Sequence, residues 1–391
     1  MRLLRVVPES SPWGPERARL TGDIEYRDPA RPAERIWFDV PLECADGLSE
    51  SGDPWLACLL PLAVTLREPL ELCRPVDPGL RDGAEAIMQI WQGWYPGVYE
   101  PIAIDADLLA PGIPDPQART AAMFSAGLDS FHTLLRHEPG GDALYRVQID
   151  DLLTIWGFDV PIAARDVFDR LRARVTRIAD HFGKHVVTVA TNLRESGWNV
   201  TNWGKLSQAP ALAAVALSLE RRYRRVLIPS SVTYRSRNPW GTHPLVDPLL
   251  STTRTDIRND GALASRFMKI GTVARSDLAM QHLRVCWIGR SDTNCGRCEK
   301  CLRTLTGFEL LGLRDRCVTF PAEAWSTDAL ATLHLRQDLD RTRMERLREL
   351  AAAHSRADIT RAIDRCIRRY DVRRAAGRVA RALRLRAPEP T

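Results

Sequence analysis

Lysine is scarce in this sequence, and several features that mark common protein classes are missing. Only four of the 55 basic residues are lysines, so arginine carries nearly all of the positive charge. No run of about 18 apolar residues occurs, which excludes the usual signature of a membrane-spanning helix. The first twenty residues lack the continuous apolar stretch of a secretory signal. We therefore expect a cytoplasmic protein that does not engage a membrane.

The composition is otherwise typical of a globular protein. The 391 residues are 45% hydrophobic and 27% charged, which is enough for two or three domains with buried cores. The formal net charge of +6 is concentrated in residues 361–391, which hold ten arginines against three acidic residues. Such a basic helical tail either contacts nucleic acid or an acidic protein surface, or only keeps one helix face solvated. The sequence is compatible with each of these roles and with a homodimer.

Hydrophobic patterning divides the chain into three segments. Residues 1–117 predict an N-terminal accessory α+β domain, with strands or buried apolar segments over 36–43 and over 55–66. Residues 118–315 alternate strands with helices, which predicts a parallel sheet covered on both faces. Residues 316–391 predict a helical, basic C-terminal region, so the fold class is α/β. The central strands are predicted over 118–124, 143–149, 184–191 and 225–231.

A short run of small residues lies between the first central strand and the helix after it. This run, FSAGLDS, covers Phe124 to Ser130. Small side chains let backbone N–H groups approach an anion, and the helix adds its N-terminal amides and the positive end of its dipole. Asp129 would repel a phosphate directly, but it suits a Mg²⁺ ion that bridges to the phosphates. No G-K-[ST] follows, so the loop is not a Walker A motif.

The SAGLDS sequence resembles the S-G-G-x-D-S signature of the PP-loop ATP pyrophosphatases. The resemblance implies a PP-loop domain of the HUP (adenine nucleotide alpha hydrolase-like) fold that cleaves ATP between its α- and β-phosphates. The ATP-binding residues that it implies are Ser125, Ala126, Gly127, Leu128, Asp129 and Ser130. Of these, Asp129 and Ser130 would be catalytic. The chain has Ala126 where the signature has glycine, and an alanine fits there if its φ is negative.

Four of the nine cysteines crowd into sixteen residues. Cys286, Cys295, Cys298 and Cys301 have the spacing C-x8-C-x2-C-x2-C, and four thiolates can close a tetrahedral Zn²⁺ site. An iron–sulfur cluster uses the same number of thiolates and stays an alternative. Because four protein ligands leave no open coordination position, we predict a structural zinc knuckle over residues 286–301 rather than a catalytic metal.

A PP-loop followed by this cysteine spacing resembles the 7-cyano-7-deazaguanine synthase family, the QueC-like branch. The segment HPLVDPLLSTTRTDIRNDG (243–261) resembles that family's stretch before its metal site, and the likeness covers about residues 118–315. It implies an enzyme that uses ATP and Mg²⁺ to adenylate a small-molecule carboxylate, such as 7-carboxy-7-deazaguanine, with release of pyrophosphate. Ammonia or another nitrogen nucleophile then displaces AMP to give an amide, and the resemblance implies that a second ATP-dependent activation can dehydrate this amide to a nitrile.

Two other functions fit the same motifs. One is a tRNA-thiolating PP-loop enzyme, whose basic tail would hold RNA through its phosphates. That class uses a further catalytic cysteine, for which Cys317 is the nearest spare thiol. The other is a QueC-like nucleotide-binding component of a defence or natural-product system that does not turn over ATP.

Several single residues are weaker candidates for contacts near the nucleotide, each with an ordinary structural explanation. They are His243 and Asp247 as base or substrate contacts, Ser230 and Ser231 as nucleotide contacts, Trp203 and Trp240 as base-stacking residues, and Lys205 as a phosphate partner. His132 and His137 follow the phosphate loop, and we expect them to be ordinary residues of the helix face.

Overall fold

A ten-stranded mixed sheet organises the N-terminal two thirds of the chain in the computed structural model. The structure describes residues 1–236, 238–286, 288 and 292–384, with side chains described up to residue 378. The chain divides by contact into two units, Met1–Val273 and the part that begins at Ala274. The whole sheet belongs to the first unit, and the cysteine cluster belongs to the second.

The sheet joins a parallel half to a mixed half. Its strands are β1 (Arg2–Ser10), β2 (Arg17–Glu25), β3 (Glu34–Pro41), β4 (Leu70–Leu72), β5 (Ile104–Asp105), β6 (Arg119–Met123), β7 (Asp151–Trp156), β8 (His185–Thr191), β9 (Tyr223–Pro229) and β10 (Asp256–Asp260). Their order is β10-β9-β6-β7-β8-β3-β2-β1-β4-β5. Strands β6 to β10 pair only in parallel with one another, whereas β8, β3, β2 and β1 pair in antiparallel fashion. The predicted α/β class with a largely parallel sheet is confirmed.

Eleven α-helices lie in the described part of the chain. They are α1 (Asp53–Leu66), α2 (Pro78–Trp94), α3 (Leu128–His137), α4 (Arg165–Phe182), α5 (Gln208–Leu217), α6 (Arg266–Val273), α7 (Asp277–His282), α8 (Glu299–Leu310), α9 (Thr327–Thr332), α10 (Asp338–Ala353) and α11 (Ala357–Arg384). None of the helices among the described residues has the length and apolar character needed to cross a membrane.

Two of the predicted elements differ from the structure. The strand predicted over 143–149 is wrong, and the strand beside β6 is β7 instead, where DLLTIW forms a short run buried on both faces. The segment predicted as a strand or buried segment over 55–66 is buried but forms α1. A continuous apolar run has no period that separates a buried strand from a buried helix, so sequence alone could not decide.

The sheet runs without a break from residues 118–260 into residues 2–105. Strand β3 pairs with β8 through Phe38 and Thr191, and α1 packs against α5. The division into 1–117, 118–315 and 316–391 stays a prediction. The boundary between the two units of the structure lies after Val273.

A buried ion network fixes the amino ends of the parallel strands. Asp151, at the start of β7, is fully buried and accepts hydrogen bonds from Arg119 on β6, from Arg222 at 2.9 Å and from the Tyr223 hydroxyl at 2.9 Å. Burial opposes ionisation of the Asp151 carboxyl, but the two guanidinium groups hold its pKa below the ordinary value. Three adjacent strands are thereby held at one end, opposite the loops of the candidate site.

The second unit is mostly helical, in agreement with the predicted helical C-terminal region. Helices α9, α10 and α11 share an apolar core with Leu302 of α8, and Met344 and Ile363 are among its fully buried residues. Residues 385–391 of the predicted basic tail, including Arg386, lie outside the described residues.

Candidate functional site

The order of the parallel strands reverses next to β6. Strand β7, which follows β6 along the chain, pairs on one side of it, and β9 pairs on the other. The loops that leave the carboxyl ends of β6 and β9 therefore diverge and leave a crevice, which is where open α/β sheets bind their ligands. The predicted phosphate loop follows β6, and Ser230 follows β9.

The loop after β6 presents backbone donors at the start of α3. The N–H groups of Ala126, Gly127 and Leu128 have no acceptor among the described residues. The Ser130 hydroxyl donates to the Gly127 carbonyl at 3.0 Å and accepts from the Ser125 N–H at 3.4 Å, which closes the loop on itself. Unpaired N–H groups beside a helix N-terminus are the elements of an anion site.

Ala126 adopts a conformation that the sequence did not predict. Its φ is +55°, in the left-handed region, and its side chain is fully buried. The condition under which an alanine fits this position without strain, a negative φ, is therefore not met. A residue other than glycine pays about 1–2 kcal/mol there, so neighbouring contacts must hold the loop in this form. The glycine of the PP-loop signature would adopt the same conformation without that cost.

Asp129 lies in the first turn of α3 and is paired with Lys269 of α6. The Lys269 Nζ atom is 3.0 Å from Asp129 Oδ1 and also donates to the Ser230 carbonyl, so it connects the start of α3 with the end of β9. The Lys269 side chain is 3% exposed and that of Asp129 is 21% exposed. Arg266, one turn earlier on α6, lies 3.8 Å from Asp129 Oδ2. Two cationic side chains thus converge on the predicted magnesium ligand.

Sequence reasoning missed Lys269, although a signal was present. It is one of only four lysines, and it lies in the segment RFMKIGTV, next to the apolar position of Ile270. A lysine on the buried face of an amphipathic helix needs a charged or polar partner. That partner, Asp129, lies 140 residues away in the sequence, so the pairing could not be inferred from spacing.

His132 differs from the expected helix-face residue. It is 2% exposed, and its Nδ1 atom has no hydrogen-bond partner among the described residues. Burial and the nearby charge of Lys269 lower the pKa of His132 to about 4. A side chain in place of Gly261, which has φ +83°, would lie 2.8 Å from His132 Nδ1 and 3.9 Å from Lys269 Nζ. The end of β10 therefore needs a glycine to accommodate both groups.

The residues after β9 mostly support the backbone. Ser230 is buried, and its hydroxyl donates to the Val232 carbonyl at 2.5 Å. Asp247 is fully buried and accepts from the His243 N–H and from Asn259 Nδ2, each at 2.7 Å. Burial raises the pKa of Asp247 to about 7. Of the predicted contacts here, only the Ser230 carbonyl reaches the Lys269–Asp129 pair.

The remaining single-residue candidates have contacts with other residues. His243 packs against the edge of Trp94, and the exposed Ser231 bonds to Thr242. Trp203 contacts Phe158 and Arg194, and Trp240 lies beside Gly204. The exposed Lys205 lies over the ring of Tyr95. His137 bonds to Asp260 at 3.1 Å through Nε2. These contacts agree with ordinary structural roles.

The four clustered cysteines converge in the second unit. The sulfur atoms of Cys286, Cys295, Cys298 and Cys301 all lie within 4.8 Å of one another, and those of Cys295 and Cys301 are 3.9 Å apart. Cys298 caps α8 and Cys301 lies in its first turn. Tetrahedral zinc with Zn–S bonds of about 2.3 Å places its sulfurs at similar separations. The cluster can therefore hold one metal ion such as zinc.

A second group of contacts shapes the cysteine cluster. The buried Asn294 side chain accepts from the N–H groups of Val285 and Cys286 at 2.8 and 3.1 Å, and it donates to the Leu283 carbonyl at 2.8 Å. Gly296 has φ +69°, and a Cβ atom there would lie 2.5 Å from the Ala324 side chain. Sequence reasoning did not find Asn294, although a buried asparagine beside a metal knuckle commonly orients its ligands.

The cysteine thiols of the second unit differ in pKa. Cys298 and Cys301 donate to the Cys286 sulfur, and these bonds lower the pKa of Cys286. The bond to Cys286 raises the pKa of Cys298 to about 12. Cys317, outside the cluster, is buried, and burial raises its pKa to about 12. The thiolate is the nucleophilic form of cysteine, so this environment disfavours nucleophilic attack by Cys317, and the thiolation alternative stays a prediction.

Comparisons with protein-family models, curated proteins and solved structures found no match for this chain.

Proposed function

We propose that the protein activates a small-molecule carboxylate by transferring AMP to it from ATP. One observation carries the proposal. A loop with three N–H groups that lack an acceptor among the described residues follows β6, where the strand order reverses, and Asp129 and Lys269 lie at its end. Backbone donors and a cationic side chain at this position of a parallel sheet suit a phosphate-bearing ligand.

The positive groups of the site address the main barrier of the reaction. A carboxylate and a triphosphate are both anions, so their reaction needs nearby positive charge. Lys269 and Arg266 supply two cations, and the loop supplies oriented N–H dipoles. Because Lys269 is almost fully buried, its charge is weakly screened and acts strongly at short range.

Asp129 is suited to hold the Mg²⁺ that the reaction requires. Its carboxylate is partly exposed and lies in the first turn of α3, beside the donors of the loop. Magnesium would neutralise phosphate charge when bound, as it does in other phosphate sites with a single protein carboxylate. Ser130, whose hydroxyl bonds back to the loop, acts as a positioning residue in this scheme.

The reaction proceeds through two successive displacements. An oxygen of the substrate carboxylate attacks the α-phosphorus of ATP, the bond to the β-phosphate breaks, and pyrophosphate leaves with the electron pair. A nitrogen nucleophile then attacks the activated carbonyl carbon, AMP leaves with the electron pair of the broken C–O bond, and the nitrogen loses a proton to solvent. The acid class that the resemblance implies is 7-carboxy-7-deazaguanine or a related small molecule. The four cysteines would hold Zn²⁺ as a structural ion, because four sulfur ligands fill its coordination shell.

The test measures pyrophosphate release from Mg·ATP with a panel of carboxylic acids that includes 7-carboxy-7-deazaguanine. We expect release by the wild type with at least one acid, and a loss of at least 100-fold in Asp129→Asn. Asp82→Asn is the matched control, because Asp82 is an exposed carboxylate on α2, and it should keep wild-type activity. ATP binding by calorimetry without turnover across the panel would favour the nucleotide-binding scaffold. Absence of both binding and turnover would refute an ATP site.

A further inference from the structure

A groove in the second unit is lined by arginines of α11, by residues of α9 and by the two residues that follow α9. It has a volume of about 820 Å³. Four guanidinium groups line it, from Arg365, Arg368, Arg369 and Arg373, together with a single carboxylate, Asp328. We propose that this groove binds the phosphate backbone of nucleic acid. The inference is independent of the ATP chemistry proposed for the first unit.

The acidic residues of α11 are already neutralised from outside the helix. Asp358, Asp364 and Asp371 pair with Arg356, Arg348 and Arg341 at 2.9, 3.2 and 2.8 Å. These arginines precede α11 or belong to α10. The negative charge of α11 is therefore used within the second unit and does not offset the groove.

The groove arginines, by contrast, have no such partners. Within the part of the chain that the structure describes, Arg365, Arg368 and Arg369 form no ion pair and no side-chain hydrogen bond, and they are exposed. Arg373 donates only to the Nδ1 atom of His334. Several like charges held together on one helix repel one another, so an anionic partner would stabilise this surface.

The spacing of the arginines favours a repeating anion. Arg365, Arg369 and Arg373 recur every four residues, which places them about 6 Å apart along the helix axis. That repeat lets successive guanidinium groups contact successive phosphates of a strand, and the planar guanidinium binds phosphate through two parallel hydrogen bonds. Val372, which is 69% exposed beside them, offers a small apolar surface to a sugar or a base.

A nucleic acid fits these features better than an acidic protein surface does. Protein interfaces are usually centred on buried aromatic anchors, whereas aromatic residues are absent from the described lining of this groove. Phosphate contacts made by arginine on a helix need no such anchor, and they give affinity without sequence preference.

The test uses the full-length protein and fluorescein-labelled 20-nucleotide strands of RNA and of DNA with one sequence. The variant Arg365→Gln/Arg369→Gln removes two groove charges. Its matched control, Arg27→Gln/Arg74→Gln, removes two exposed arginine charges from the first unit. We expect binding by the wild type in 0.1 M salt, at least a tenfold loss in the groove variant, and no more than a twofold loss in the control.

The salt dependence gives a second readout. Loss of two phosphate contacts should reduce the slope of log K against log salt by about 1.4 for a single strand. Arg365→Lys/Arg369→Lys keeps both charges and should keep most of the slope. This variant therefore separates the effect of lost charge on binding from the effect of a changed helix. The proposal is supported if the protein binds RNA and DNA with equal affinity, and also if it prefers RNA. No binding, an equal loss in the control, or tighter binding of polyglutamate than of either strand would overturn it.

Discussion

The two halves of the Lys269–Asp129 pair differ in exposure, and that difference predicts unequal effects on stability. In Asp129→Asn the ammonium of Lys269, which is 3% exposed, keeps only the Ser230 carbonyl and a neutral amide as partners. Leaving a buried charge without its counter-ion costs about 3 kcal/mol. In Lys269→Met the carboxylate of Asp129 keeps partial solvation and the nearby Arg266, so the expected cost is about 1 kcal/mol or less.

The double variant Asp129→Asn/Lys269→Met sharpens this prediction. Replacing both charges of a buried pair with neutral groups of similar size is often close to neutral for stability. We therefore expect the double variant to regain most of the stability that Asp129→Asn alone loses, with a coupling free energy of about 3 to 4 kcal/mol. Pyrophosphate release should stay low in all three variants, because the double variant regains stability without regaining charge at the proposed phosphate site.

Urea unfolding at pH 7, followed by tryptophan fluorescence, measures these differences. Nine of the eleven tryptophans lie in residues 1–273, so the signal reports mainly on the unit that holds the pair. Equal destabilisation by the two single variants, or strictly additive effects in the double variant, would show that Lys269 and Asp129 do not depend on each other as their geometry indicates.

Three further predictions concern single residues. Ala126→Gly should change stability by no more than about 1 kcal/mol, because relief of the positive φ is offset by the greater flexibility of glycine; a loss above 2 kcal/mol by urea unfolding would contradict the strain at this loop. Asn294→Ala should release zinc to a chromogenic chelator about 10–100 times faster than the exposed control Asn199→Ala, and equal rates would exclude Asn294 as an orienting residue. Because the pKa of folded His132 is about 4, below its unfolded value, its contribution to stability is complete above about pH 6.5 and is lost as the pH falls toward 4, by up to about 3 kcal/mol. His132→Phe should flatten that part of the urea stability profile, and an unchanged profile would argue against a buried neutral imidazole.

Motifs could be recognised in the sequence where their residues are neighbours along the chain. The loop from Phe124 to Ser130 and the four cysteines are compact motifs, and the structure places them in a strand-to-helix turn and a sulfur cluster. The backbone of Ala126 was not readable, because the φ of one residue depends on the contacts that surround it. A pattern gives residue types and spacing but not the conformation that packing imposes.

Pairings between distant residues account for most of what the sequence left out. Lys269 contacts Asp129 across 140 residues, and β3 pairs with β8 across about 150. The sequence places the strand beside β6 over 143–149, because apolar and polar residues alternate there as they do in a strand. The buried segment DLLTIW, which forms β7, has no such alternation. Periodicity describes how one element meets the core and contains no information about its partner.

The junction between β8 and β3 has a practical consequence for anyone who shortens the chain. A fragment that starts at residue 118 would leave the hydrogen-bonding groups of β8 at Ala190 and Thr191 open to solvent and would strip α1 from α5. Open strand edges recruit other chains, so such a fragment should aggregate instead of yielding an isolated α/β domain. The first hundred residues therefore pair with β8 and pack on α5, and so protect the half of the sheet that carries the loop after β6.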